Sequence, residues 1–148
     1  MNLWIARGPA ARAEAVIQSS VSNWFISTKS GGPLNGQVQD SIIGCYELTR
    51  SATRLDKFHA MALFASAGIE PPRFDRYPDD HLFAGRDIIS AVLTRTPIDY
   101  QRAPTSFSEV YAPFVAYDPD ETLTVIEQGR LIKGVLDKAS VGAGSGGV

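Results

Sequence analysis

Cysteine is almost absent: the 148 residues hold one, Cys45. That excludes an internal disulfide and a thiolate metal cluster, and it fits a reducing compartment. Histidine is nearly as scarce. His59 and His81 stand far apart, without the close second ligand of a zinc site, and read as a helix-flank and a loop residue. No apolar run approaches the roughly 18 residues a membrane span needs. The opening stretch MNLWIARGPAARAEA also lacks the continuous apolar core of an export signal, so the expectation is an intracellular protein, nuclear or cytoplasmic. Excess positive charge is missing too. Fourteen basic against sixteen acidic side chains leave a net charge of −2, unlike a free-standing duplex-DNA binder, so any nucleic-acid contact is local.

What is present is an ordinary globular composition, 44% apolar and 20% charged, in a length that suits one domain with a real core. Leu3–Ile5 reads as a short strand ending at Gly8-Pro9, where proline's fixed φ suits a helix start. Ala13, Val16, Ile17 and Val21 fall on one face of that helix. The β-branched and aromatic run at 24–28, bounded by Ser30-Gly31-Gly32-Pro33, predicts a second strand. Helical period follows from about Gln37 to Arg50, with Val38, Ile42, Cys45 and Thr49 on one side. Thr53 and Asp56 have capping-box spacing for another helix, whose buried stripe would be Leu55, Phe58, Ala62 and Ala65. Residues 68–81, with three prolines, predict a long surface connection, and 94–121 a loop-rich stretch. Between them Ile88, Ile89, Val92 and Leu93 form the ridge of a helix that starts at Gly85 and ends before Pro97. "LTVIEQGRLIKGV" predicts a hairpin turning at Gln128-Gly129. The expected class is α+β: four main helices, short N-terminal strands and a C-terminal β hairpin.

Few residues carry a chemical signal. Gly142, Gly144 and Gly147 have dinucleotide-fingerprint spacing, but no helix follows to supply phosphate-binding amides, so a turn is expected rather than a cofactor loop. Asp79-Asp80 and the run at 117–122 fit no calcium-loop pattern and read as solvated acidic loops. Cys45, on an apolar stripe, reads as a packed thiol rather than a nucleophile. The stretch "GGPLNGQVQDS" is different: it places Gln39 and Asp40 at a helix start behind a glycine-rich loop, where amides are unpaired and the dipole is positive. Two readings stay open there. Gln39 and the amides meet a phosphate or ribose, or Asp40 offsets the dipole while Gln39 is solvated.

Three blocks read together resemble one family. "MNLWIARGPAARAEA", "FISTKSGGPLNGQVQDSIIGCYELTR" and "LFAGRDIISAVL" leading to "GRLIKGVLDKASVGAGSGGV" resemble, in order and approximate spacing, the pore domain of the largest subunit of multisubunit DNA-dependent RNA polymerases. In that family a Met-Asn-Leu resumption follows the magnesium-binding Asn-Ala-Asp-Phe-Asp-Gly-Asp motif, and an Arg-Ala-Glu helix comes next, here Arg12, Ala13 and Glu14. A glycine-x-proline loop and Gly-x-x-Gln-Asp are matched by Gly31, Pro33, Gly36, Gln39 and Asp40, with Gly44 and Leu48-Thr49-Arg50 behind them. Phe83, Gly85 and Arg86 resemble a later helix start, and Gly134, Leu136, Asp137, Lys138 and Gly142 a Gly-x-Leu-Asp-Lys-x-x-x-Gly signature. The similarity is thinnest over 66–80 and 94–122. Trp4, Ala6 and Thr28 depart from the usual histidine, proline and proline, which implies a divergent lineage of the eukaryotic, archaeal and viral-like type.

The resemblance implies that residues 1–148 are one domain of a larger nucleotidyltransferase subunit, lining the pore below the active centre. It implies no catalytic residue and no metal ligand within this stretch, the magnesium being held by aspartates upstream, so that the piece alone is inactive. Gln39 and Asp40 are the expected RNA- or nucleotide-proximal residues, with Arg50 and Lys29 as weaker phosphate contacts and Asn2 near the metal loop through connectivity. Implied partners are the rest of the largest subunit, other polymerase subunits, the nascent RNA 3′ end and NTP, with no membrane; a viral lineage adds the virion as a location. Self-association through surfaces normally covered is also expected. The alternatives are a free-standing protein-interaction module using the loops at 68–81 and 99–121, and a nucleotide-cofactor enzyme built on the terminal glycines.

Overall fold

Proline at position 9 starts helix α1 (Pro9–Ile17), and a single 3-10 turn follows at Val21–Asn23. The computed structural model describes residues 2–105, 113 and 117–143. Its remaining elements are α2 (Asp40–Thr49), β1 (Arg54–Leu55), α3 (Lys57–Ser66), β2 (Phe83–Ala84), α4 (Gly85–Leu93), β3 (Tyr100–Arg102), β4 (Thr124–Glu127), β5 (Arg130–Lys133) and α5 (Lys138–Val141), with 3-10 turns at Phe74–Arg76 and Pro119–Glu121. The class is α+β, as expected, with four helices of nine or ten residues and one short fifth helix among the described residues.

The hairpin forms as its sequence predicts. Gln128 and Gly129 both take positive φ, 49° and 74°, the mirror-image turn whose twist matches two antiparallel strands. Asp99 Oδ1 accepts the Gln128 N–H at 2.7 Å and fixes that turn. β3 adds to the outer side of β4, with Tyr100 opposite Ile126, and a bulge lies between Val125 and Ile126. A second, two-stranded sheet pairs Leu55 with Phe83.

Several expectations are corrected. Residues 3–5 form no strand, and 24–28 hold only one bridge, Ile26 to Pro33. Their β propensity finds no neighbouring strand to pair with, so the short strands lie elsewhere. Ala13, Val16, Ile17 and Val21 are exposed, and no described residue from 2 to 39 is buried. α2 begins at Asp40 rather than 37. α3 is capped by Asp56 alone, whose Oδ1 accepts the His59 N–H at 2.8 Å. Its buried face is Ala60 and Phe64 with Leu63 beside them, whereas Phe58 is 78% exposed and Ala62 and Ala65 are also outside. The connection at 68–81 is more than surface: Phe74 is buried in it. Part of the expected loop at 94–121 becomes β3; residues 106–112 and 114–116, and the terminal turn at 144–148, lie outside the described residues.

Helix α4 divides the interior. Ile88 faces a cluster of Ala60, Phe64, Phe74 and Phe83, in which the Phe64–Phe74 and Phe74–Phe83 rings meet edge to face at 6.1 and 5.2 Å. Such pairs add about 0.5–1.5 kcal/mol each beyond area burial. Ile89 and Leu93 face a second cluster of Ile126, Leu131 and Leu136, against which Cys45 and Val141 also pack. Cys45 is half-buried, and burial pushes its thiol pKa up, which suits the inert packed role. Ser90 locks α4 to the sheet, donating to the Arg86 carbonyl at 2.7 Å and accepting the Leu131 N–H at 3.0 Å. α2 approaches α4 at Gly85, where an added Cβ would lie 1.9 Å from the Leu48 carbonyl oxygen.

Gly85→Ala separates α2 from α4 and should cost about 1–3 kcal/mol, read as a lower denaturant midpoint at unchanged slope. The Asp56 carboxyl is held below the usual range first by the His59 N–H, and the Asp118 carboxyl first by the Ser51 hydroxyl and then by the Asp120 N–H. A carboxyl lowered in the fold contributes fully above its unfolded pKa, and the contribution disappears as pH falls through the lowered value. Asp118→Asn should therefore make the acid-side fall of the thermal midpoint shallower than in the parent chain, as read by melting across a pH series.

Candidate functional site

The glycine-rich loop ends in a strained corner. Gln39 has φ 47° and ψ −119°, the geometry of the first corner of a type II′ turn, and the Ser41 N–H closes that turn onto the Val38 carbonyl at 3.2 Å. Glycine is the usual occupant of such a corner, because a side chain there costs about 1–3 kcal/mol. Here glutamine holds it, as N-cap of α2, with no side-chain capping bond of its own. Its amide is thus projected from the helix start instead of folding back on it.

The far end of the chain supports this corner. From Leu136 to Gly142 the backbone runs beside α2, from that helix's C-terminal end back to its beginning. The Leu136 N–H donates to the buried Thr49 hydroxyl at 2.9 Å, and the Gln37 N–H donates to the Val141 carbonyl at 2.9 Å. At the second of these points two backbones cross in contact: a Cβ on Gly36 would lie 2.3 Å from the Ala143 nitrogen. Only glycine allows that approach.

The crossing and the first turns of α2 enclose an open groove of about 610 Å³ lined by Gln37, Val38, Gln39, Ile42, Ile43, Lys138, Gly142 and Ala143. Its floor is apolar. Its polar groups are two glutamine amides and one ammonium, set beside the positive end of the α2 dipole. Lys138 makes no ion pair among the described residues. Donors and positive charge over an apolar floor suit an anionic group or a sugar hydroxyl carried by a flat apolar body.

The structure separates the other expected residues. Asp40 follows Gln39 in the first turn and is exposed. Arg50 lies at the other end of α2, about 15 Å away along a ten-residue helix, in an exposed pair with Glu47 at 3.5 Å. Lys29 is exposed in the turn at 27–31, and Asn2 is exposed; neither lines the groove. Lys138 and Gln37 are the additions that residue-by-residue reading misses. Their signal is the Leu136-Asp137-Lys138 run, which only the fold carries to Gln39. A larger open cleft of about 800 Å³ lies between α4 and the segment at 70–83, along the Tyr77, His81 and Phe83 rings, and holds none of the expected residues.

Among the described residues no group of three or more His, Cys, Asp or Glu side chains is placed to hold a metal ion. No described helix is long and apolar enough to cross a membrane.

Comparison with known proteins finds matches that span most of the chain. The family described as RNA polymerase Rpb1, domain 3, matches residues 24–148. A DNA-directed RNA polymerase RPB1 homolog of African swine fever virus is 51% identical over 152 residues, covering 99% of this chain and 10% of the viral protein. The DNA-directed RNA polymerase subunit Rpo1N of Methanothermobacter thermautotrophicus is 30% identical over 155 residues, covering 99% of this chain and 16% of that subunit, and its counterpart in Thermoplasma acidophilum is 29% identical over the whole chain. The chain thus spans between a tenth and a fifth of the relatives it matches. On the extent of the family match and the viral identity, the chain belongs to the RNA polymerase Rpb1 domain 3 family.

Proposed function

We propose that the chain is a non-catalytic segment of the largest subunit of a DNA-directed RNA polymerase, and that the groove at Gln39 faces the pore below the active centre. There it meets the RNA 3′ end or an incoming nucleotide. The observation that carries this reading is Gln39 itself. A strained corner that glycine would occupy without cost is given to a long amide side chain, and Lys138 lines the same groove. Strain of this kind persists where surrounding structure over-determines it, and it clusters at sites of function. Gln39 would hydrogen-bond a ribose or base edge, and Lys138 would meet phosphate as a point charge. The chemical step belongs to carboxylates elsewhere in the enzyme.

The N-terminal segment supports placement within a larger body. Leu3 is 90% exposed, and Trp4, Ile5, Val16, Ile17, Phe25 and Ile26 are exposed with it. Apolar surface on that scale marks an interface. In the polymerase it would be covered by the rest of the subunit and its neighbours.

Three measurements test the reading. In a polymerase carrying this domain, Gln39→Ala should slow nucleotide addition or alter RNA-end handling, while the melting point of the 148-residue chain stays nearly unchanged. Gln39→Gly should raise that melting point, because glycine relieves the corner by about 1 kcal/mol, and should still impair elongation. Normal elongation by both variants would sink the assignment. The chain by itself should show a mass that rises with concentration in light scattering; a strict monomer at high concentration would argue against a large covered face.

A further inference from the structure

We infer that Asp137 is a positioning residue for Gln39, acting through α5 and the backbone crossing at Gly36; this rests on the reading of Gln39 given above. The Asp137 side chain is 5% exposed and is shared between two tasks. One oxygen accepts the Ala139 N–H at 2.9 Å, within a capping box in which the Ser140 hydroxyl accepts the Asp137 N–H at 2.8 Å. The other oxygen accepts the Thr105 N–H at 2.5 Å and the Thr105 hydroxyl. The carboxylate therefore starts α5 and at the same time ties it to the chain leaving β3.

α5 has four residues, too few to hold itself, so its position depends on ties from outside it: this anchor, and the Ala139 carbonyl, which accepts the Tyr100 hydroxyl at 3.4 Å and Arg102 Nη1 at 3.5 Å. Its last carbonyl, Val141, receives the Gln37 N–H, and the next residue, Gly142, makes a parallel bridge with Gln37. Gln39 stands two residues beyond Gln37, in the strained corner. A shift of α5 therefore moves the only backbone bracing described between the C-terminal segment and the approach to that corner. It also moves Lys138, which follows Asp137 directly. The Thr49–Leu136 bond holds the other end of the same run, so that the motion permitted by loss of the Thr105 tie is concentrated at the Gln37 end.

Asp137→Asn separates the two tasks. Asparagine caps a helix as well as aspartate, and its oxygen can still accept from Ala139, but it presents an NH2 where the Thr105 donors need an acceptor. Hydrogen exchange in the 148-residue chain reads the consequence at two amides. Leu131, bonded to Ser90 in the sheet, reports global opening, and Gln37 reports the crossing. Asp137→Asn should speed exchange at Gln37 about tenfold more than at Leu131. Thr105→Val should act in the same direction, and Thr105→Ser, which restores the hydroxyl, should return Gln37 toward the parent rate. In the polymerase, Asp137→Asn should slow elongation, and its combination with Gln39→Ala should be slower than Gln39→Ala alone by less than the product of the two single effects, because both act on the one Gln39 amide and differ only in Lys138. Equal acceleration at both amides, an unchanged Gln37, or effects on elongation that multiply in the double variant would overturn the inference. Normal elongation by Gln39→Ala would instead remove the functional reading, while the exchange rates still decide whether Asp137 sets the crossing.

Discussion

The Thr49 hydroxyl is the point on which the rest of the architecture depends. It is wholly buried, donates to the Cys45 carbonyl one turn back at 2.7 Å, and accepts the Leu136 N–H from a position 87 residues later. The carbonyl of the same residue accepts Arg86 Nε at 2.9 Å. Three elements thus converge on one residue: the end of α2, the start of α4 and the segment leaving the hairpin. The Leu136 bond is buried, so removing either of its partners leaves a donor or acceptor unpaired away from water. The orientation of α2, and with it the direction in which its first turn faces, is set here.

Polar side chains make the corresponding joints elsewhere. Ser90 couples α4 to β5, the Thr124 hydroxyl donates to the Val135 carbonyl at 2.7 Å, and Asp137 couples α5 to Thr105. No buried side-chain nitrogen or oxygen among the described residues lacks a partner. The apolar clusters on the two faces of α4 supply cohesion, which is non-directional. The hydroxyl and carboxylate joints supply direction. Holding the groove at a fixed attitude takes the second as much as the first.

What the sequence makes legible follows the range of the forces involved. The hairpin is local: two β-branched runs and a turn with glycine at the right place determine one another, and it forms as read. The helices are nearly as local, because their period and their breakers are written in consecutive residues. The face of α3 is a different matter. That helix is apolar around most of its circumference, so period alone cannot choose between Phe58 and Phe64, and the choice falls to Phe74 and Phe83, which are distant in sequence. The strand expected at 24–28 fails for the same reason, since propensity proposes a strand but only a partner makes one. At the site, Gln39 is visible as a motif. Its backbone strain is not, and Lys138 is invisible as a neighbour until the Leu136–Gly142 run is laid beside α2.

Glycine and glutamine divide the work at that junction in opposite ways. Gly36 is needed because a second backbone occupies the space of its side chain, so geometry alone explains it. Gln39 stands where geometry would prefer glycine, three residues on, and geometry alone cannot explain it. A chain selected only for stability would exchange that glutamine for glycine and lose nothing that the fold uses, since its side chain caps no donor and fills no core. The crossing at Gly36 is what makes the strained residue sustainable. The Gln37–Val141 bond and the close approach at Gly36 brace the backbone that leads into the corner, so that packing at one end of α2 sets where residue 39 stands at the surface.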